Sequence, residues 1–259
     1  KHFPVYPVID REGRLLGTVR GPSLFEAQAV ELTAQAGTMV GVDREERLAT
    51  RWPRSLVFRH PWLQLNLLTA FIAAAVVGFF EGTLEKIVLL AVFLPVLAGQ
   101  SGNTGCQALA VTLRGMTLGE LKPGSTSTAV IKEAILGLAN GAAVGVSAGL
   151  GMFLYAWMHD NPQALMLAAV TWLAMVIACV VSGISGVLVP TTLQRFGADP
   201  ATASSIFLTT ATDVVSMGAF LGLATLGKVL ADREYRRTAF KIVQPWGVPY
   251  QPPLAAVPA

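Results

Sequence analysis

The sequence predicts an all-α polytopic membrane protein with five transmembrane helices, preceded by a small partial α/β segment and a linking helix. Two observations support this fold class. The chain of 259 residues is 53% hydrophobic and only 14% charged, whereas a soluble domain carries about 25% charged residues. In addition, most basic residues flank hydrophobic segments instead of forming a stripe along one surface. This distribution argues against a nucleic-acid partner and favours a lipid bilayer.

The N-terminal residues predict a short β-structure. Residues 5–20 contain two β-rich runs on either side of the turn-forming sequence DREG at 10–13, the pattern of a strand, a turn and a second strand. Sixteen such residues bury too little apolar surface to form a core. We therefore expect residues 1–22 to be the remnant of a larger domain or to rely on a partner.

A linking helical segment is predicted for residues 23–60. Ser23 and Glu26 have the spacing of a capping box, and helix-compatible residues follow to about Thr38. A second polar, helix-compatible stretch covers residues 43–59 and carries five arginines.

Five later segments are long enough to cross a hydrocarbon core of about 30 Å. They lie near residues 61–80, 86–114, 127–158, 164–190 and 201–230. Together they define a predicted pore domain over residues 61–231, followed by a tail over residues 232–259. If the five segments alternate in direction, most of the 19 Lys and Arg residues lie on the same side of the membrane as the N-terminus. This predicts a multi-pass protein of the inner (plasma) membrane with a cytoplasmic N-terminus, although the basic residues after position 228 oppose this orientation.

The third predicted span carries a glycine at every fourth position. The four residues are Gly137, Gly141, Gly145 and Gly149. This spacing places a smooth ridge on one helix face and predicts that another helix packs closely against it.

Asp213 is the most informative polar residue of the predicted spans. It lies midway along the fifth span, where an unpaired carboxylate costs about 3 kcal/mol, and no Lys or Arg lies within one helical turn. A protonated Asp in a helix–helix hydrogen bond is one interpretation. The favoured one is a carboxylate that faces water and a cation. Four hydroxyl residues surround it and are candidate pore-lining residues: Thr209, Thr210, Thr212 and Ser216.

The sequence PVLAGQSGNTGCQ at 95–107 interrupts the second span with three glycines, a proline and three amides. It predicts a broken helix whose free carbonyls and neutral oxygens line a cation pathway. The candidate pore-lining residues here are Ser101, Asn103, Thr104 and Gln107. Three acidic residues near span ends are candidate accessory residues: Glu81, Glu133 and Asp199. Helix capping is the favoured role of Asp199, and a position at the membrane interface is the alternative for the other two.

The sequence does not support an enzyme. Gly99–Gly102 fits the GxSG string of rhomboid proteases, but all three histidines lie outside the span interiors, so Ser101 has no base. The YD and GxGD strings of intramembrane aspartyl proteases are absent. Cys106 and Cys179 belong to no CxxC pair, so the cysteines support neither a zinc site nor a disulfide framework.

Several motifs follow one another in the order of a known family. They are RHPWL at 59–63, FE at 80–81, PVLAGQSGNTGCQ at 95–107 with Arg114, KE at 132–133, Pro190, GADP at 197–200 and TTATD at 209–213. Over about residues 55–230, the sequence resembles the MgtE family of magnesium channels and its eukaryotic solute-carrier relatives. Residues 1–22 are similar to the end of a CBS domain, and residues 23–60 to the plug-type linking helix of the family.

The resemblance implies a homodimer with five helices per protomer and a pore along the dimer axis. It also implies that Asp213 is the residue that holds hydrated Mg²⁺, the transported ion, from both subunits. The acidic N-terminal domain and the rest of the CBS pair, which bind magnesium and close the pore in the family, are missing from this chain. If the chain is a truncation, its gating should be impaired.

Two alternatives remain open at the level of the sequence. One is transport of another divalent cation, such as Mn²⁺ or Co²⁺, or exchange of Mg²⁺ for Na⁺, because oxygen ligands select weakly among hard divalent ions. The other is a CBS-linked membrane scaffold that conducts nothing.

Overall fold

The computed structural model describes residues 4–121 and 124–243. In this part of the chain, two strands precede seven helices. The elements are β1 (Val5–Ile9), β2 (Leu15–Arg20), α1 (Gly21–Thr38), α2 (Trp52–Phe79), α3 (Glu81–Lys86), α4 (Leu89–Thr117), α5 (Thr126–Met158), α6 (Ala164–Arg195) and α7 (Pro200–Val243).

The N-terminal strands form the hairpin that the sequence predicts. β1 and β2 pair antiparallel, with Val5 opposite Arg20. The Asp10 carboxylate holds the turn, because its Oδ1 accepts hydrogen bonds from the backbone N–H of Glu12 at 3.0 Å and of Arg14 at 2.7 Å. Gly13 supplies the positive φ of 81° that the turn requires.

The linking segment differs from its prediction. Helix α1 starts at Gly21, two residues before the predicted cap at Ser23, and ends at Thr38 as expected. Residues 43–50 form turns instead of a helix. The Asp43 carboxylate accepts a hydrogen bond from the Glu45 N–H, and the Thr50 hydroxyl accepts one from the Arg47 N–H. These side chains replace the backbone partners that a helix would supply.

Helix α2 begins nine residues before the predicted start of the first span at Pro61. Proline is favoured in the first turn of a helix, and Pro53 lies there. Pro61 lies inside the helix without ending it. The linking segment and the first span therefore share one continuous helix. At the other end of the chain, α7 continues to Val243, so the first part of the predicted tail, residues 232–243, is helical. Residues 244–259 lie outside the described part.

A charged contact fixes the turns of the linker against α2. Nε of Arg59 donates to Oε1 of Glu46 at 2.9 Å, and the Glu46 side chain is only 3% exposed. The hydrogen bond from the Arg59 guanidinium holds the pKa of the Glu46 carboxyl below its usual range.

This contact predicts a pH dependence of stability. A depressed pKa in the folded state means that the pair stabilises the fold above the unfolded Glu pKa of about 4.3. The contribution is lost as the pH falls through the lower, folded value. We therefore expect Glu46→Gln to lower the thermal midpoint of the detergent-solubilised chain at pH 7, and this difference to shrink at acidic pH. A difference that stays constant down to pH 3 would contradict the contact.

The glycine ridge of α5 packs against α6, as the spacing predicts. A Cβ atom added at Gly137 would lie 2.5 Å from the Cys179 carbonyl oxygen, and one at Gly149 would lie 3.0 Å from that of Ala168. Such distances leave no room for a side chain, so the two backbones touch along several turns. Gly183 of α6 extends the contact, because a Cβ there would lie 2.7 Å from the Glu133 carbonyl oxygen.

Helix α6 is the centre of the bundle and packs against α4, α5 and α7. The apolar core fills the half of the bundle near the loop between α5 and α6. Its fully buried side chains include Leu90, Leu97, Met152, Leu167 and Phe220. The polar residues at 101–107 lie midway along α4, and those at 204–216 lie in the first half of α7.

Four helical segments of the described residues are long and apolar enough to cross a membrane. They are Trp52–Phe79, Thr126–Met158, Ala164–Arg195 and Ser204–Leu230. The chain is therefore a multi-pass, mostly helical protein. Helix α4, the second of the five predicted spans, has 29 residues but is not among these segments. Its polar residues between Gln100 and Gln107 lower its hydropathy.

The predicted break in this helix is wrong. Residues Leu89–Thr117 form one continuous helix that contains Pro95 and the whole Gly-rich sequence. Gly105 serves packing instead, whereas a Cβ at Gly99 or Gly102 would meet no atom within 4 Å. A Cβ at Gly105 would lie 3.1 Å from Leu208 Cδ1, and one on Gly186 of α6 would lie 2.8 Å from the Gly105 carbonyl oxygen.

Candidate cation site

Asp213 is a half-buried carboxylate on α7. It is the only acidic residue of the membrane-spanning segment Ser204–Leu230. Its carboxylate makes no hydrogen bond or ion pair with any residue of the described ranges 4–121 and 124–243. A carboxylate at this depth is costly unless water or a cation compensates it.

The hydroxyls around Asp213 bond to their own helix. Thr209 donates to the Ser205 carbonyl oxygen at 2.9 Å, and Thr210 donates to that of Ile206 at 2.8 Å. Both side chains are half-buried, like Asp213. Their donors are occupied, whereas their oxygens keep lone pairs that can accept hydrogen bonds.

The other two hydroxyls of the predicted set lie deeper. Thr212 is 1% exposed and donates to the Thr209 carbonyl, and Ser216 is 0% exposed and donates to the Asp213 carbonyl. The structure thus places these two inside the packing of the protomer, while Thr209 and Thr210 share the half-buried environment of Asp213.

Helix α4 has two faces of different character. Its inner face contains Ser101, which is 0% exposed and donates to the Ala98 carbonyl at 3.0 Å. Thr104 is half-buried and donates to the Gln100 carbonyl and to Sγ of Cys179 on α6. The outer face of α4 is exposed along its length and consists of Val92, Val96, Gly99, Asn103, Cys106, Gln107 and Val111. Two of the four predicted residues thus lie inside the protomer and two on this outer face.

Helices α4 and α7 meet at Gly105. A Cβ at this glycine would lie 3.2 Å from Thr212 Cγ2, so the absence of a side chain lets Thr212, the residue before Asp213, pack against the backbone of α4. Helix α4, which carries Asn103 and Gln107, is therefore a direct neighbour of the helix that carries Asp213. Sequence spacing alone does not predict which glycine makes this contact.

The three accessory acidic residues have different environments. Glu81 is exposed at the start of α3. Glu133 is 9% exposed on the face of α5 that packs against α6, and its carboxylate lies 3.7 Å from Nζ of Lys132. Asp199 caps α7 by accepting a hydrogen bond from the Ala201 N–H at 2.9 Å. It lies fourteen residues from Asp213, about 21 Å along the helix.

Asp199 also makes a contact that sequence reasoning missed. Its Oδ2 lies 3.3 Å from Nη2 of Arg44, so the linker is joined to the start of α7. The partners are 155 positions apart, and no local pattern in the sequence pairs them. Within the described residues, no group of three or more His, Cys, Asp and Glu side chains forms a metal-binding cluster. The candidate cation site within this chain is thus a single carboxylate with hydroxyl neighbours.

A multi-pass bundle with an unpaired carboxylate in a membrane helix is typical of membrane proteins that move ions. Comparison with known proteins identifies the family. The family model MgtE, described as "Divalent cation transporter", matches residues 94–223. The chain belongs to the MgtE family, as its motifs indicate. The matched region includes Asn103, Gly105, Gln107 and Asp213.

Three relatives are named "Magnesium transporter MgtE". The protein of Enterococcus faecalis is 29% identical over 224 residues, which cover 86% of this chain and 48% of that protein. The Bacillus subtilis protein is 26% identical over 223 residues, again 86% and 48% of the two chains. The Thermus thermophilus protein is 29% identical over 226 residues, or 86% and 49%. The chain thus spans about half the length of the curated relatives it matches.

Proposed function

We propose that this chain forms the transmembrane pathway of a magnesium channel or transporter, in which Asp213 is the main selectivity ligand. The observation that carries the proposal is the Asp213 carboxylate. It lies midway along a membrane-spanning helix and makes no hydrogen bond or ion pair among the described residues. The names of the three relatives support Mg²⁺ as the transported ion. The wider description of the family model agrees with a divalent cation.

The pathway lies between two copies of the chain. The amides of Asn103 and Gln107 are exposed on the outer face of α4 among apolar residues. Contact of these amides with hydrocarbon would cost free energy, because lipid offers no hydrogen bonds. A second copy that covers this face around a water-filled path removes the cost. Helix α4 then also crosses the membrane despite its low hydropathy, and it brings the number of spans to five.

Paired Asp213 carboxylates favour a divalent ion. Two carboxylates about 6–8 Å apart repel each other by about 2–3 kcal/mol at an effective dielectric constant of 20. A divalent cation between them removes this repulsion, whereas a monovalent cation compensates only part of it. The pair therefore selects for charge.

The hydroxyl geometry favours a hydrated ion. Mg²⁺ releases its waters reluctantly, so its outer surface consists of water O–H donors. The hydroxyls of Thr209 and Thr210 already donate hydrogen bonds to helix carbonyls, so their oxygens can only accept further hydrogen bonds. Together with Asp213, they present acceptors to a hydrated cation.

The membrane orientation follows from the charge distribution. The N-terminal linker and the start of α7 lie on the cytoplasmic side of the inner (plasma) membrane. The hairpin of residues 5–20 belongs to a CBS-like regulatory part. The ion pair between Arg44 and Asp199 joins the linker to the helix that carries Asp213.

The two cysteines test the dimer directly. Cys106 is exposed on the outer face of α4, whereas Cys179 is buried. If two copies share this face, a short bismaleimide should cross-link the chain to a dimer in membranes. The cross-link should persist in Cys179→Ser and disappear in Cys106→Ser. A chain that stays monomeric, although a monofunctional maleimide labels Cys106 fully, would contradict the shared face.

A second candidate is transport of another divalent ion, such as Mn²⁺ or Co²⁺, or Na⁺-coupled exchange of Mg²⁺. This candidate is supported by the oxygen-only donor set, which selects weakly among hard divalent ions, and by the family description, which names no particular divalent cation. Competition separates the two. Excess Mn²⁺ or Co²⁺ should leave Mg²⁺ uptake largely intact if Mg²⁺ is the substrate, and removal of Na⁺ should have no effect.

A further inference from the structure

The charge pattern of α2 locates the membrane boundary. Residues 61–79 contain no ionisable side chain, whereas the preceding turns contain Arg54, Arg59 and His60. Nineteen residues at a rise of about 1.5 Å span about 29 Å, which matches the hydrocarbon thickness of a bilayer. The boundary between hydrocarbon and headgroups therefore lies near Trp62, and tryptophan is enriched at this depth.

A cavity of about 510 Å³ lies at this boundary, between the linker turns and α2. This volume falls within the range of small-molecule sites. Its lining includes Asp43, Arg44, Glu45, Phe58, Pro61 and Trp62. The cavity combines two carboxylates and a guanidinium with an aromatic wall.

The Trp62 wall of the cavity is held in place by Gly41. This glycine has a φ of +77°, and a Cβ added to it would overlap the Trp62 indole ring. The backbone of the linker thus lies flat against the indole. The ring is fixed before any ligand binds, which lowers the entropic cost of binding.

The carboxylates of the cavity keep acceptor capacity. Oδ1 of Asp43 accepts a hydrogen bond from the Glu45 N–H at 2.8 Å, and Oε2 of Glu45 accepts one from Arg54 at 3.2 Å. Each carboxylate has a second oxygen that can accept further bonds. Trp62 adds a π-face, which attracts cations. Arg44 lines the same cavity and is also ion-paired with Asp199 through Nη2, so a phosphate would share this guanidinium, which has five N–H donors, with Asp199.

We propose that this cavity binds the headgroup of an amine-bearing phospholipid. The ammonium group lies at Asp43 and Glu45 beside Trp62, and the phosphate lies toward Arg44. The acyl chains follow the apolar residues of α2 below Trp62, of which Leu65, Leu68, Phe71 and Ile72 are exposed. A zwitterionic headgroup matches the mixed charges of the cavity, whereas an anionic headgroup would meet two carboxylates.

Native mass spectrometry of the purified full chain tests this site with three lipids of identical acyl chains. We expect one phosphatidylethanolamine to be retained per protomer. Phosphatidylcholine should bind about tenfold more weakly, because its trimethylammonium group donates no hydrogen bond. Phosphatidylglycerol should bind at least as weakly as phosphatidylcholine. Equal retention of the three lipids, or a preference for phosphatidylglycerol, would overturn the proposal.

Asp43→Asn is the matched variant. Asparagine can still accept the hydrogen bond from the Glu45 N–H, so the turn is kept while the charge is lost. Retention of phosphatidylethanolamine should fall about tenfold in Asp43→Asn and stay unchanged in Asp160→Asn, an exposed residue of the loop between α5 and α6. Unchanged retention in Asp43→Asn would refute the site. Displacement of the lipid by soluble glycerophosphoethanolamine would assign the cavity to a soluble zwitterion.

Discussion

Replacement of Asp213 by Asn should reduce Mg²⁺ uptake by magnesium-starved cells about a hundredfold. The substitution keeps the size of the side chain but removes both charges of the proposed carboxylate pair. Hydrogen bonds from the ion's waters to a charged carboxylate are worth about 1.5–3 kcal/mol, and loss of that amount corresponds to a factor of about 10 to 150. Asp213→Ala should have at least as large an effect. Uptake is measured as the initial rate of Mg²⁺ entry at equal amounts of protein in the membrane.

Asp160→Asn is the matched control for this prediction. Asp160 is exposed outside the membrane-spanning helices, and its φ of 50° is one that asparagine also tolerates. Its uptake should equal that of the unchanged chain. If Asp213→Asn and Asp160→Asn transport alike, Asp213 does not select the ion. A folded scaffold that conducts nothing would show no uptake in any of the three proteins.

Replacement of Gly137 by Ala should destabilise the bundle by about 1–3 kcal/mol. The added Cβ would lie 2.5 Å from the Cys179 carbonyl oxygen and 2.8 Å from Val180 Cα. Both are backbone atoms, which cannot move aside as a flexible side chain would. The two helices therefore have to separate, and each neighbouring glycine contact along the ridge weakens. We expect the thermal midpoint in detergent to fall by several degrees.

Gly151→Ala, on the same helix, is the control. A Cβ there first meets the Phe93 ring at 3.8 Å, an ordinary contact distance. Because alanine forms helices better than glycine by up to about 1 kcal/mol, this variant should be as stable as the unchanged chain or more stable. Equal effects of the two substitutions would show that the α5–α6 ridge is not closely packed.

The features that the sequence predicts best are those set by local spacing. The four glycines of α5 predict a packing face because a period of four residues places them on one side of any helix. Asp213 is singled out because a charge is costly in an apolar segment wherever its neighbours lie, and its role as an ion ligand stays a prediction. The hairpin is predicted because the turn residues at 10–13 form their own local hydrogen bonds.

The features that the sequence does not predict depend on distant contacts. The Gly-rich sequence in α4 suggests a break, but Gly105 makes room for α7 and α6, and the helix continues. The change in composition at Pro61 predicts the start of the first span there, whereas α2 begins at Trp52 and continues through Pro61. The pairing of Arg44 with Asp199 depends on how the linker folds back onto α7.

The most direct test of the magnesium pathway is Mg²⁺ entry into proteoliposomes that contain the purified chain and a trapped Mg²⁺-sensitive dye. We predict rapid entry driven by an inward Mg²⁺ gradient, and entry near the protein-free background for Asp213→Asn at equal reconstitution. Equal rates of entry for the two proteins would contradict the assignment of Asp213 as the ion ligand.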